Sequence, residues 1–215
     1  MIDFSSIKAL FFDFGCVLIN LDKQLCISNF HKITGRDFSD VIGNYVQAGV
    51  FLQLEKGLIS TDDFCDEIRK YSNCPVTNQQ IIDAWCSFLL EVPEEKKQLL
   101  LDLRKRFSVF MLSNTNSIHI ARSMDVNFGI NGYTRDHYFN KCYLSNEIHL
   151  AKPDRAMFDY VLNDSGFKAE ECLLLDDGKK NIEVADSMGF HTYLVKPYED
   201  LRPLFANVLF TNSYS

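Results

Sequence analysis

Lys8-Ala9-Leu10-Phe11-Phe12-Asp13-Phe14, closed by Gly15, is a short apolar run that ends on a carboxylate. With no polar alternation, it reads as a strand buried on both faces, the kind found in parallel sheets covered by helices. Three further runs share the pattern, at 108–112, 172–175 and 191–195, and 141–144 is a weaker fifth. Helical periodicity fills the gaps between them. Residues 94–106 place Leu99, Leu100 and Leu103 on one face. Residues 154–163 carry Met157, Phe158, Val161 and Leu162 behind Asp154, whose charge suits a first turn. Residues 180–188 run toward Gly189, a natural helix terminator. Alternating strands and helices predict a Rossmann-like, doubly wound α/β parallel sheet with right-handed crossovers. Its ligands are then expected at the carboxyl ends of the strands, where strand order reverses.

The texture changes between the first strand and the second. Four helix-like segments appear, at about 22–34, 38–51, 61–72 and 78–91, with Pro75 and Pro93 as punctuation and Ser60 and Thr61 as an N-cap signal. The expected organisation is an α/β core of residues 1–18 and 94–215, carrying an inserted α-helical cap domain of residues 19–93. An insert at this point lies beside the ligand crevice.

Composition narrows the partners. The net charge is −7 and no basic stripe is present, which argues against a nucleic-acid partner. The apolar stretch 9–19 is interrupted by Asp13 and is too short to span a bilayer, so neither a membrane nor an export signal is expected. Seven cysteines, with no Cys-x-x-Cys pair, read as reduced thiols of a cytoplasmic protein rather than a disulfide or zinc framework. Five scattered histidines add no metal motif.

Four polar clusters stand at or beside strand ends: Asp13, Ser113-Asn114, Lys152-Pro153 and Asp176-Asp177. A parallel sheet brings three of them to one edge, and a loop can bring Lys152 to the same place. Three carboxylates suit a hard divalent ion bound through oxygen, with Mg²⁺ the best match. A hydroxyl, a backbone amide and an ammonium suit the oxygens of a phosphoryl group. With the cation and Lys152 offsetting repulsion, Asp13 is placed to attack phosphorus. Taken singly, each cluster has a plainer reading as a turn or a helix cap; their order and shared edge make the pattern.

The chain resembles the haloacid dehalogenase (HAD) superfamily over essentially its whole length. Four motifs are matched in order: Phe12-Asp13-Phe14-Gly15, Leu112-Ser113-Asn114, Lys152-Pro153, and Asp176-Asp177 followed by Asn181. The resemblance implies a hydrolase forming an aspartyl phosphate on Asp13, with Lys152 and Ser113 as its catalytic partners. It implies phosphate contacts from Ser113, the Asn114 amide and Lys152. It implies Mg²⁺ ligation by Asp13, the Gly15 carbonyl and Asp177, with Asp176 acting through water. The insert resembles the family's helical type 1 cap.

One position departs from the family pattern. Many HAD phosphatases carry a second aspartate two residues after the nucleophile, as general acid and then base; here that residue is Gly15. Such assistance is worth ~10²–10⁴-fold. Asp13-Phe-Gly-Cys-Val17, Leu112-Ser-Asn-Thr-Asn116 and Glu55-Lys-Gly-Leu-Ile-Ser60 are similar to an Asp-x-Gly-x-Val branch of sugar-phosphate phosphatases of the α-D-glucose-1-phosphate phosphatase kind. The expected substrate is a small phosphorylated metabolite, preferably a sugar 1-phosphate, whose anomeric oxygen leaves with less help. Two alternatives stand: a phosphate-binding or regulatory module with weak turnover, and a 2-haloacid dehalogenase. His31 and His149 are candidates for reaching the crevice, and Asp22, Gln53 and Glu55 for meeting a sugar hydroxyl. Exposed positions are the plainer reading of all five, and the run Glu94-Glu95-Lys96-Lys97 reads as a solvated helix start.

Overall fold

A computed structural model describes residues 2–42 and 47–209 and shows how the predicted strands assemble. Five strands, β1 (Ala9–Phe12), β2 (Ser108–Ser113), β3 (Lys141–Leu144), β4 (Cys172–Asp176) and β5 (His191–Leu194), form one sheet in the order β3-β2-β1-β4-β5. Every pairing is parallel. The alternation of side chains along a strand explains why β1 is apolar throughout. Leu10 and Phe12 enter one core, with Leu99, Leu100, Leu103 and Phe128, while Ala9 and Phe11 enter the other, with Phe158, Val161 and Leu174. Phe11 stacks on Phe110 of β2 at 4.9 Å between ring centroids.

β1 is the hinge of the topology. The chain builds outward from it through β2 and β3, then returns to its other side with β4 and β5. Register pairs Phe12 with Met111 and with Leu175, so Asp13, Ser113 and Asp176 all fall at one edge, where order reverses.

The insert forms its own layer. Its helices are α1 (Lys23–Thr34), α2 (Gly49–Glu55), α3 (Thr61–Tyr71) and α4 (Asn78–Cys86). Their shared core gathers Phe30, Phe51, Phe64 and Trp85, with Phe51 4.8 Å from Trp85. Ser60 caps α3 and Thr77 caps α4, each in a reciprocal box with the residue three positions on. Entry and exit of the insert run side by side: Leu90 N donates to Asn20 O at 3.0 Å and Asp22 N to Phe88 O at 2.8 Å.

Two expectations need correction. The helix expected over 38–51 is not formed at its start. Ser39 N turns back onto the Asp37 side chain, Val41 and Ile42 bond to Phe38 O, and helix begins only at Gly49. Residues 43–46 of that stretch lie outside the described residues. Phe38 and Ile42 are buried by this turn, so their apolar spacing reflects anchoring rather than helical periodicity. The second correction concerns Lys96 and Lys97, which are not solvated. Both are buried in the helix α5 (Glu94–Leu103). Lys96 Nζ donates to Val17 O at 2.5 Å, tying α5 to the loop after β1, and Lys97 pairs with Glu94 at 2.6 Å. Their methylene stems pack while each head finds an oxygen.

Candidate active site

The loop after β1 starts in register. Asp13 N donates to Leu175 O at 2.9 Å, so the strand pairing extends one residue beyond β1 and fixes where the carboxylate stands. Asp13 Oδ1 then accepts from Phe14 N at 2.7 Å and lies 3.0 Å from Lys152 Nζ. The same ammonium reaches Asp176 Oδ2 at 2.5 Å. Lys152 arrives from a loop rather than a strand, and Asn114 clasps it there. The Asn114 amide group donates to Lys152 O at 2.8 Å, and its oxygen accepts from Lys152 N at 2.9 Å. The motif at the end of β2 therefore positions the lysine of the next one.

Asp176 is fully buried, and both its oxygens are engaged. Oδ2 holds Lys152; Oδ1 accepts from Gly178 N and from Asn181 Nδ2, each at 2.8 Å. Asp177 differs. Its Oδ2 is buried and has no hydrogen-bond partner, a costly state for a carboxylate oxygen. Asp13, Asp176 and Asp177 bring ligand atoms within 4.8 Å of one another. Burial pushes the Asp13 carboxyl up to about 8, with Asp176 and Asp177 adding to the rise and Lys152 opposing it. Burial and then Asp176 lift Asp177 to about 6. Burial opposes the Lys152 charge too, but Asp13 and Asp176 outweigh it and raise the lysine above its ordinary value. Three carboxylates thus share one ammonium in a buried place. An orphaned oxygen and surplus negative charge fit a hard divalent cation, held by Asp13 and Asp177 with Asp176 committed mainly to Lys152.

The predicted residues converge. Asp13, Gly15, Ser113, Asn114, Lys152, Asp177 and Asn181 line one cavity, and Asp176 sits directly behind Lys152. A side chain at position 15 would press on Leu21, whose Cδ1 lies 3.3 Å from where a Cβ would stand. Ser113 is buried at the end of β2.

From the helical layer, Glu55 enters the same cavity. It ends α2 and is only 6% exposed, so the plainer expectation of an exposed helix position does not hold for it. Its neighbours dock onto the core. Ser145 Oγ donates to Glu55 O at 2.6 Å, and the His149 ring nitrogen Nδ1 meets Lys56 O at 2.9 Å. Gly57 has φ +63° and lies so close to Asn146 O that a Cβ would stand 2.1 Å from it. Gly57→Ala is therefore expected to lift this turn from the core. Left-handed backbone alone costs about 1–2 kcal/mol, so thermal melting should fall by roughly 4 °C or more, with kcat/KM falling alongside.

The remaining candidates separate. His149 serves as a latch between the turn and the core, and His31 is exposed on α1. Asp22 caps α1 by accepting from Leu25 N, and Gln53 is exposed. His119, one of the scattered histidines, is buried and lines the cavity; it stacks on Trp85 at 4.5 Å and pairs with Trp85 O. Burial pushes it down to about 4, so it is a neutral wall. Its signal in the sequence was the Asn116 cap that starts the helical turn at Ser117–His119.

The chain is similar to several known proteins. The family model for haloacid dehalogenase-like hydrolases matches residues 78–189. A D-ribitol-5-phosphate phosphatase of Bacteroides thetaiotaomicron is 33% identical over 187 residues, covering 87% of this chain and 91% of its own. A HAD-family enzyme of the same organism, solved with magnesium and inorganic phosphate, is 42% identical at a TM-score of 0.86, over 93% of this chain and 99% of that one. A predicted HAD-like hydrolase from Porphyromonas gingivalis is 35% identical at a TM-score of 0.87, covering 96% and 99%.

Proposed function

The chain belongs to the haloacid dehalogenase-like hydrolases, and from that premise we propose that it hydrolyses the phosphomonoester of a small polyol or sugar through an aspartyl phosphate on Asp13. The carrying observation is the Asp13 carboxylate held at the strand-order switch beside Lys152, among carboxylates that one ammonium does not balance. Mg²⁺ held by Asp13, Asp177 and the Gly15 carbonyl would supply the positive charge that draws phosphate oxygens toward the nucleophile. Ser113, the Asn114 amide and Lys152 bind those oxygens. Lys152 also opposes the effect of burial on Asp13 and aims it, because Asp176 and Asn114 fix the lysine's head and backbone.

Residues 1–18 and 94–215 act as the catalytic core and 19–93 as the cap. The paired crossing at Asn20 and Leu90 supports that division. The cavity between them holds about 60 Å³. At ~10–15 Å³ for each water-sized group, that is room for a phosphoryl group. The similarity to a D-ribitol-5-phosphate phosphatase supports a phosphorylated alditol, a primary alkyl ester, over a sugar 1-phosphate. Seven free cysteines support a cytoplasmic location, and among the described residues no helix is long and apolar enough to cross a membrane.

Ribitol 5-phosphate and p-nitrophenyl phosphate should both release phosphate with Mg²⁺. EDTA should reduce release to background and excess Mg²⁺ restore it, as followed by a phosphate assay. Release that persists in EDTA would overturn the metal role, and halide release from a 2-haloacid would favour a dehalogenase.

A further inference from the structure

Phosphomonoester hydrolysis needs a proton at two moments. An alkoxide leaving group must receive one, and the attacking water must lose one. Gly15 cannot serve, because it has no side chain. Among the described residues lining the cavity, the other ionisable groups are committed. Lys152 is bonded to Asp13 and Asp176, Asp13 is the nucleophile, and Asp177 faces the cation position. His119 is stacked on Trp85 and bonded to its carbonyl.

Glu55 is different in each respect. It lines the cavity from the cap side, within electrostatic reach of Asp13, and is only 6% exposed. No hydrogen bond or ion pair to its carboxyl exists among the described residues, although its backbone is pinned by Ser145. The turn that carries it is docked at three places, Ser145, Asn146 and His149, so the carboxyl is presented by the core and not left loose on the cap. A carboxyl on a largely buried residue, held rigidly against a reaction site, is a poor stabilising element. It is well suited to proton transfer.

We propose that Glu55 is the general acid and base of this enzyme, supplied from the cap in place of the aspartate that Gly15 lacks. The proposal rests on the phosphatase reading above. In the first half-reaction an Asp13 oxygen bonds to phosphorus, the bond from phosphorus to the substrate oxygen breaks, and the Glu55 proton passes to that oxygen, releasing the alcohol. In the second, the Glu55 carboxylate takes a proton from water, and the water oxygen bonds to phosphorus. The bond to Asp13 then breaks and inorganic phosphate leaves. Glu55 ends protonated, as it began. In the metal-free protein burial and then the Asp13 charge push its carboxyl up to about 8, which favours the neutral acid. Lys152, Asp177 and neutral His119 are the other groups facing the cavity.

Leaving-group dependence tests the role in Mg²⁺-loaded enzyme. A p-nitrophenolate departs without a proton; a ribitol alkoxide does not. With Glu55→Gln, the pre-steady-state burst of p-nitrophenol should keep its wild-type rate while steady turnover falls ~10²-fold or more, because the water step has lost its base. On ribitol 5-phosphate, formation of the aspartyl phosphate itself should slow by a similar factor, read by acid quench. Melting of the metal-free variant should not fall below that of wild type. Should glutamine disturb the turn, Glu55→Asp gives a milder loss with the same alkyl-over-aryl asymmetry. Equal slowing of both bursts, or a change confined to KM, overturns the proposal while leaving the phosphatase intact. If the wild type cleaves neither ester, the phosphatase reading itself fails.

Discussion

Lys152→Met is expected to destabilise the protein by about 3–5 kcal/mol and to abolish phosphate release. The lysine side chain is 1% exposed and holds two carboxylates, Asp176 at 2.5 Å and Asp13 at 3.0 Å. Methionine fills its volume but leaves a fully buried Asp176 charge without its cation. The penalty comes chiefly from that stranded charge and not from the lost bond. In a chain of this size the melting midpoint should drop by roughly 6–20 °C, at about 2–4 °C per kcal/mol. The double variant Lys152→Met/Asp176→Asn separates the two roles, because it removes the stranded charge together with its partner. Urea unfolding should then recover much of the stability, while turnover stays at background. Recovery of activity in the double variant would show that Lys152 is a structural counter-ion with no part in phosphate binding.

The sheet was legible in the sequence for a physical reason. A strand buried on both faces has no polar alternation to hide it, and five such runs at helical separation leave few other arrangements. Four polar clusters at strand ends followed from the same logic, since a parallel sheet sends its carboxyl ends to one edge. What was not legible arises from contacts between distant segments. Phe38 and Ile42 look like one face of a helix, yet Asp37 captures the Ser39 amide and turns the chain instead. Lys96 looks solvated until the Val17 carbonyl is placed over it. Glu55 looks like one more exposed helical glutamate. Its burial depends on Ser145, ninety positions away, and on a glycine at 57 that lets the turn approach the Asn146 carbonyl. The preference for a sugar 1-phosphate rested on the same kind of reading. It assumed that no acid replaced the one missing at Gly15, when the replacement we propose lies in another layer of the fold.

Asp13→Asn should lower phosphate release by at least ~10⁴-fold, the scale on which loss of a nucleophile that works as part of a unit is felt. The amide keeps the shape of the carboxylate but has no nucleophilic oxygen, so no burst should appear with p-nitrophenyl phosphate. Its effect on stability should have the opposite sign. In the metal-free protein, burial together with Asp176 and Asp177 lifts the folded-state Asp13 carboxyl to about 8, against an ordinary 3.8. A carboxyl raised on folding gives up stability as pH climbs from its unfolded value toward its folded one. Asparagine never ionises and escapes that loss. The variant should therefore be as stable as the wild type near pH 4 and more stable near pH 8 when both are held in EDTA, with the gap widening through that window. Adding Mg²⁺ should narrow the gap, since the cation stabilises the form that has the carboxylate. Thermal melting at a series of pH values, with and without Mg²⁺, measures each of these shifts. A variant that loses stability in EDTA at every pH would mean that Asp13 is held there to bind Lys152. A variant that gains it would mean that the fold tolerates a destabilising charge at the one position where the reaction needs an oxygen nucleophile.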